Sequence, residues 1–504
     1  MAQSTRNRRV AVVVEAEEGV LNKPTSADDY LASQDDFSLE PAFETLETAE
    51  LKGSIGASKP IQGVEAPVSS FSHYLRHSGV EGQAPDFADL LQALFGTEAI
   101  RANERDTVAA STVSAINVDA AEGLEFQRGD ALLFKDAVNG FSIRPIKSVA
   151  VDVLTPGFNL PNAPASGVNL GKSVSYIPAN TAHQTLSLWE YIGNGGAISA
   201  LAGCRVTEMG ITIDAGQLIN AAYSLEGISS YFDPFIIAAT NKFIDFDDAG
   251  GEENVAVAEG SYKDPHALAA AIETAIEGAT ADDITVTYSD TTGKFTLASD
   301  GGTFELLWKT GVNGSDNTDF HIGTLIGFDD SADDTLAVTY TADNEIDLTS
   351  THTPSFDDTD PLAAKSNMMM IGDVDDNVCF AASTASITIS TPKTNVNSIC
   401  AESGVSGSVI NERTVSISVT ALLEQYDTDK WRRFRENEET SFMFIGGTKT
   451  GGNWDAGKCF CLYVPTAVVS AFSTADEDGL VAINIELTAY VNADGEGEVY
   501  LSFV

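Results

Sequence analysis

The chain has 504 residues, 43% of them hydrophobic, with 74 acidic against 28 basic residues and a formal net charge of −46. That length exceeds one ordinary domain, and the apolar content with a mean hydropathy of −0.03 excludes a disordered polyanion. The acidity disfavours stable DNA binding, which needs clustered Lys and Arg to neutralise phosphates.

No stretch approaches the roughly 20 apolar residues of a membrane span. The apolar run Val10 to Val14 is too short for a signal peptide and is cut off by Glu15 and Glu17, so it reads as a first strand or an exposed arm. Cys204, Cys379, Cys400, Cys459 and Cys461 in so long a chain are expected to be free thiols formed in a reducing cytoplasm.

Residues 1–40 are polar and acidic and are expected to form an N-terminal arm that orders only against a partner. A first β module is expected over 41–240. Within it, PDFADLLQALFG predicts a short helix with Pro85 first, Asp86 and Asp89 in the first turn, a face of Phe87, Leu90, Leu91 and Leu94, and Gly96 as the stop. Residues 106–182 read as a β excursion.

A different unit is expected over 241–350, a small α+β domain inserted between β parts. Its helix has Asp264 as N-cap, Pro265 at N1, a stripe of Leu268, Ile272 and Ile276, and Gly278 as the close; DITVTYSDTTGKFTLAS then predicts a hairpin. Alternating strands return over 351–504. The two β parts share an order of strands, one helix and a closing strand pair, which points to an internal duplication.

Chemical motifs fall short. SGVNLGKS (166–173) has Ser166 where a phosphate loop needs its first glycine, and the strand-like VSYIP follows where a helix should open. GDVDDN (372–377) has Val378 at the turn-glycine position of a calcium loop counted from Asp373. Acidic clusters at 247–253 and 329–334 read as solvated loops. Cys459 and Cys461 share one strand face without His or further Cys nearby, and RGD at 128–130 reads as a turn. No nucleophile, base and oxyanion set assembles, so the expectation is a non-enzyme with no cofactor and no metal.

The segment FETLETAELKGSIGASKPIQGVEAPVSSFSHYLR…PDFADLLQALFG and the C-terminal SGSVINERTVSISVTALLEQYDTDKWRRFRENEETSFMFIGG…KCFCLYVPTAVVSAF…VAINIELTAYV resemble major tail tube proteins of long-tailed (siphovirus-type) bacteriophages. The middle unit resembles the outward-facing extra domains that some of them carry. The resemblance implies a mainly β fold with two tail-tube-like β-sandwich or barrel modules, each with one short helix, plus the inserted α+β domain. It implies a structural virion protein that self-assembles into stacked rings, the hollow tail conduit for genome ejection. A doubled chain would build the ring as a homotrimer with pseudo-sixfold symmetry. Tape measure, tail terminator and distal tail proteins are implied as partners, with DNA passing without sticking. The competing reading is a β-rich bacterial surface or adhesion protein whose inserted domain binds a ligand.

The densest basic run, DTDKWRRFREN at 427–437, reads as a short helix capped by Asp427 or Thr428, with Trp431 and Phe434 on one side. Arg432 and Arg433 point away from that side and Arg435 borders it. Trp431, Arg432, Arg433 and Arg435 are therefore the expected subunit-contact residues, making salt bridges to a neighbour or within the module.

Overall fold

The computed structural model describes residues 7–48, 59–181, 183–192, 198–248, 251–280, 282–346, 354–356, 359–375, 379–422, 428–477, 479–491 and 497–504. The protein is mainly β, with three α-helices among these residues. A first run comprises β1 (Arg9–Val14), β2 (Ser38–Glu40), β3 (Phe43–Leu46), β4 (Ile61–Glu65), β5 (Val68–Tyr74), α1 (Ala88–Phe95), β6 (Leu186–Tyr191), β7 (Ile198–Asp214), β8 (Asn220–Glu226) and β9 (Ser229–Phe232). After an α+β unit containing α2 (Pro265–Glu277) comes a second run. It comprises β10 (Met368–Gly372), β11 (Ala382–Ser390), β12 (Lys393–Asn397), β13 (Val405–Ile410), β14 (Thr414–Leu422), α3 (Thr428–Glu436), β15 (Glu439–Thr450), β16 (Asn453–Glu477), β17 (Leu480–Ala489) and β18 (Tyr500–Phe503).

Each strand of the first run has its counterpart nine strands later. In the first run β1 pairs β6, β6 pairs β7, β7 pairs β9 and β8, β8 pairs β5, β5 pairs β2, and β3 pairs β4. The second run repeats all seven antiparallel pairings: β10 with β15, β15 with β16, β16 with β18 and β17, β17 with β14, β14 with β11, and β12 with β13.

Even the irregularities recur. The register slips between Val206 and Glu208 in β7 and between Val469 and Ala471 in β16, each against the next strand. The skipped residues are Thr207 and Ser470. Thr207 Oγ1 donates to the Ser224 carbonyl at 3.1 Å, and Ser470 Oγ donates to the Glu486 carbonyl at 3.2 Å. A second slip takes Leu186 and Leu188 against Cys204 and Leu201, and Thr440 and Phe442 against Ala467 and Val464. Along the long strand both irregularities sit at a constant offset of 263 residues. Bulges bend strands and raise local twist, which is how β7 and β16 leave one sheet and enter another.

The result is an eight-stranded antiparallel sheet in the order β2, β5, β8, β7, β11, β14, β17, β16, using the C-terminal halves of β7 and β16. Period-2 alternation directs Met209, Ile211, Ile213, Ile387, Ile389, Val415, Ile417, Val419, Ile485 and Leu487 into the main core. The N-terminal halves of β7 and β16 and their partners form the sheets that cover this core, and α1 packs inside it.

The arm expected over 1–40 is corrected by β1. It pairs β6 from Arg9 opposite Tyr191 to Val14 opposite Leu186, and Val10, Ala11 and Val12 are buried. An unbroken apolar run suits a strand covered on both faces, and Val10 and Val12 enter the main core while Ala11 enters a separate one. α1 begins at Ala88 rather than Pro85, because Ala88 N–H bonds the Pro85 carbonyl and closes a turn first. Its predicted face, Phe87, Leu90, Leu91 and Leu94, is buried, and Gly96 ends it at φ 92°.

Residues 105–170 form a six-stranded sheet over their own core of Leu132, Phe134, Leu154 and Leu170. Residues 235–346 build another core around Phe235, Ile272, Trp308 and Ile322. There Asp264 accepts the Ala267 N–H at 2.8 Å and Pro265 opens α2, as its sequence predicts. The strands Ile284–Ser289 and Lys294–Ser299 form the expected hairpin. In chain order this unit lies between the two recurring runs.

Candidate assembly surface

The side of the eight-stranded sheet turned away from the core is built of small polar residues. Thr212, Ser224, Ser386, Ser416, Ser418 and Thr488 are exposed on it, with Glu208, Glu226 and Glu486 among them. In the strand segments of this sheet the one lysine or arginine is Arg205, and its side chain is buried at the junction between the runs. A broad sheet face thus offers hydroxyls and carboxylates but no cation to a polyanion.

The sheet ends differ from its middle. In the middle, β7 has β8 on one side and β11 on the other, with Glu208 opposite Ser390 and Asp214 opposite Thr384. The equivalent stretch of β16, residues 469–477, pairs only β17 among the described residues, so its second edge is open. At the far end, among the described residues, β2 pairs β5 on one side alone. It is short and acid-flanked: Asp36 holds Ser72 through its N–H at 3.1 Å and its hydroxyl at 2.6 Å. Two unpaired edges of antiparallel strands are templates for another chain.

The predicted cationic cluster lies on α3, which packs against β16. Asp427, one of its two expected caps, lies outside the described residues. Trp431 and Phe434 are 43% and 40% exposed, and the Arg435 guanidinium sits 5.5 Å over the Trp431 ring. Arg432 reaches Glu436 at 3.1 Å and also Glu438. Arg433 turns inward, 4% exposed, and grips both carboxylate oxygens of Asp373 at 2.7 and 3.2 Å while donating to the Glu439 carbonyl. The four residues therefore split: Arg433 ties α3 to the end of β10, and Trp431, Arg432 and Arg435 remain on the surface. Asp373, read from sequence as the start of an imperfect calcium loop, is Arg433's partner.

The other motifs fall into place as structure. Residues 169–170 and 173–178 are strands, so SGVNLGKS precedes no helix. Cys459 and Cys461 are buried in one apolar cluster with Tyr463 and Tyr500, and burial pushes both thiols up to about 12. Gly129 of RGD takes φ 88° in a turn before the strand Ala131–Lys135.

Asp319, His321 and Asp330 converge, a grouping not foreseen from sequence because the acidic loop was read as solvated. His321 Nδ1 accepts the Gly323 N–H at 3.1 Å, which leaves the ring proton on Nε2, facing the carboxylates at 3.4 and 3.7 Å. A protonated Nε2 has no lone pair for a cation, and the buried Nε2 makes no hydrogen bond to either carboxylate.

No family profile and no curated protein matches the chain. Among solved structures it is similar to the SPP1 tail tube, at 14% identity over 24% of this chain and 72% of that one, with a TM-score of 0.20. It is similar also to a chain from the virion of a native gene transfer agent particle, at 14% identity over 26% of this chain and 92% of that one, with a TM-score of 0.19. At such TM-scores neither likeness bears on fold or function.

Proposed function

We propose that this chain is a structural subunit of a phage-type tail tube, which self-associates through its sheet edges into rings that stack around a conduit for DNA. The observation that carries the reading is the β7–β11 junction. One seam between two like modules is already made inside the chain, and the same two surfaces are left open at its ends. Repetition of a heterologous contact closes a ring when the rotation allows, and closure removes the exposed edges. The repeated pairings and bulges support an internal duplication in which each chain fills two ring positions.

If each chain fills two ring positions, three copies are the expected number. Eight strands from each of three chains, at about 4.8 Å spacing and a tilt of about 40°, close a barrel roughly 45–50 Å across at the backbone. Six copies would double that width. The cation-free face then lines the lumen, where hydroxyls and scattered carboxylates let a duplex slide without phosphate contacts. The 235–346 unit, with its own core, stands outside as decoration, and proteins that cap or fill such a tube are the expected partners. Its place is the phage tail.

Electron microscopy of the purified protein tests the reading. Stacked rings or short tubes are expected; a strictly monomeric protein at high concentration overturns it.

A further inference from the structure

Inside the chain the second run grips the first by a strand and by a hairpin. The strand is β11 along β7, with Ile387 opposite Ile211. The hairpin is β12–β13, which crosses onto the first run. There the Ser408 N–H donates to Glu18 at 2.7 Å, and its carbonyl accepts from Arg205 Nη2 at 2.9 Å. Glu18 and Arg205 close on each other at 3.0 Å, and Lys393 Nζ donates to the Gly227 carbonyl at 2.7 Å. Arg205 also donates to the carbonyl of His183, in the segment leading into β6.

We infer that the seam between neighbouring copies repeats the strand register of this junction, an inference that rests on the self-association proposed above. The 263-residue offset aligns Ile211 with Thr474. The ladder Leu225–Ser69–Leu39 in the first run matches Leu487–Ile417–Ile387 in the second. Since Ile387 faces Ile211, Leu39 of one copy faces Thr474 of the next. Ser38 then faces Ala475, Glu40 faces Ser473, and Asp36 faces Glu477. The hairpin counterpart is β3–β4, and its landing site is the surface beside α3 and the start of β15, where Val468 and Asn437 take the places of Arg205 and His183.

The two surfaces suit each other. The hairpin exposes Phe43, Leu46 and Ile61 together with Glu44 and Glu47. α3 exposes Trp431 and Phe434 beside Arg432 and Arg435. An acidic apolar hairpin from a second copy covers a basic aromatic helix, which accounts for the positive cluster in so acidic a chain. The occupant is a second copy, because the internal junction already shows a segment of this chain in the equivalent place.

The seam has one feature that the internal junction lacks. Inside the chain Asp214 faces Thr384, whereas across the seam Glu477 faces Asp36, with Asp476 and Asp35 adjoining. Like charges directly opposite on neighbouring strands oppose pairing. Association is therefore weak at low ionic strength and is promoted when salt screens the carboxylates.

Cysteine pairing tests the register in the full chain with exposed Cys379 and Cys400 replaced by serine. Ser38→Cys with Ala475→Cys places directly opposed residues within disulfide reach, whereas Ser38→Cys with Ser473→Cys sets them about 7–8 Å apart, beyond it. On oxidation at high salt, covalent oligomers from the first pair and not the second are expected. Arg435→Glu should lower the oligomer yield at least about tenfold, and Glu44→Lys with Glu47→Lys should restore it. Rings in which the offset pair links, or neither pair links, overturn the seam while leaving ring formation standing. Absence of any oligomer overturns both.

Discussion

Arg433→Ala separates the structural half of the cationic cluster from its surface half. The side chain is 4% exposed and makes two charge-assisted bonds to Asp373 and one to the Glu439 carbonyl. Asp373 is itself 68% exposed, so it returns to water when its partner is lost, and the bonds must be discounted accordingly. The net loss for Ala is about 2 kcal/mol, from the guanidinium's bonds and the packing of its stem. Arg433→Glu sets an uncompensated carboxylate into the same buried place facing Asp373, at about 3–5 kcal/mol. Arg432, with a side chain 44% exposed and two glutamates at hand, should cost under about 1 kcal/mol as Ala. Urea unfolding of all three variants, with size-exclusion of the folded fraction, reads the difference. Arg433→Ala as stable as the parent protein, with Arg432→Ala clearly weakened, would refute the reasoning.

His73 is buried against Tyr223 and Phe87, its Nδ1–H donating to the Tyr74 carbonyl at 3.0 Å, and burial pushes its pKa down to about 4. The unfolded chain binds the proton first, so stability falls as pH drops from about 6.5 towards 4, by about 2 kcal/mol between pH 7 and 5. Asp130, raised by burial to about 6, acts in the opposite sense over that range, gaining about 1 kcal/mol on acidification. Urea midpoints of His73→Leu at the two pH values should show the loss removed; an unchanged pH slope would contradict it. Lysines in place of Ser386, Thr388 and Ser418 should give the exposed sheet face measurable DNA affinity, each engaged lysine steepening the salt dependence by about 0.9 in log–log slope. Unaltered DNA retention would mean that the face does not meet DNA. Deleting 241–345 should leave ring formation intact, because that unit has a core of its own; loss of rings with a folded remainder would place subunit contacts there.

Much of this architecture was legible in the sequence where the signal is local. α2 was readable from Asp264, Pro265 and the Leu268–Ile272–Ile276 stripe. β1 was half legible, since VAVVV reads as a strand but its acidic surroundings suggested an arm. The fate of Arg433 was not legible, because its partner Asp373 is 60 residues away and the two meet only when β10 comes to lie beside β15. The Glu18–Arg205–Ser408 clamp joins residues as far as 390 positions apart, and no periodicity marks it. The open edges were invisible for the same reason: a strand's free side is defined by what the rest of the chain leaves uncovered.

The central proposal is that each chain fills two ring positions, so that three copies close the ring. Native mass spectrometry of rings assembled at high salt tests it most directly. With a chain mass of 53.2 kDa, three copies give about 160 kDa, and that single species is the predicted result. A ring of about 320 kDa, or a protein that stays at the monomer mass, would contradict it.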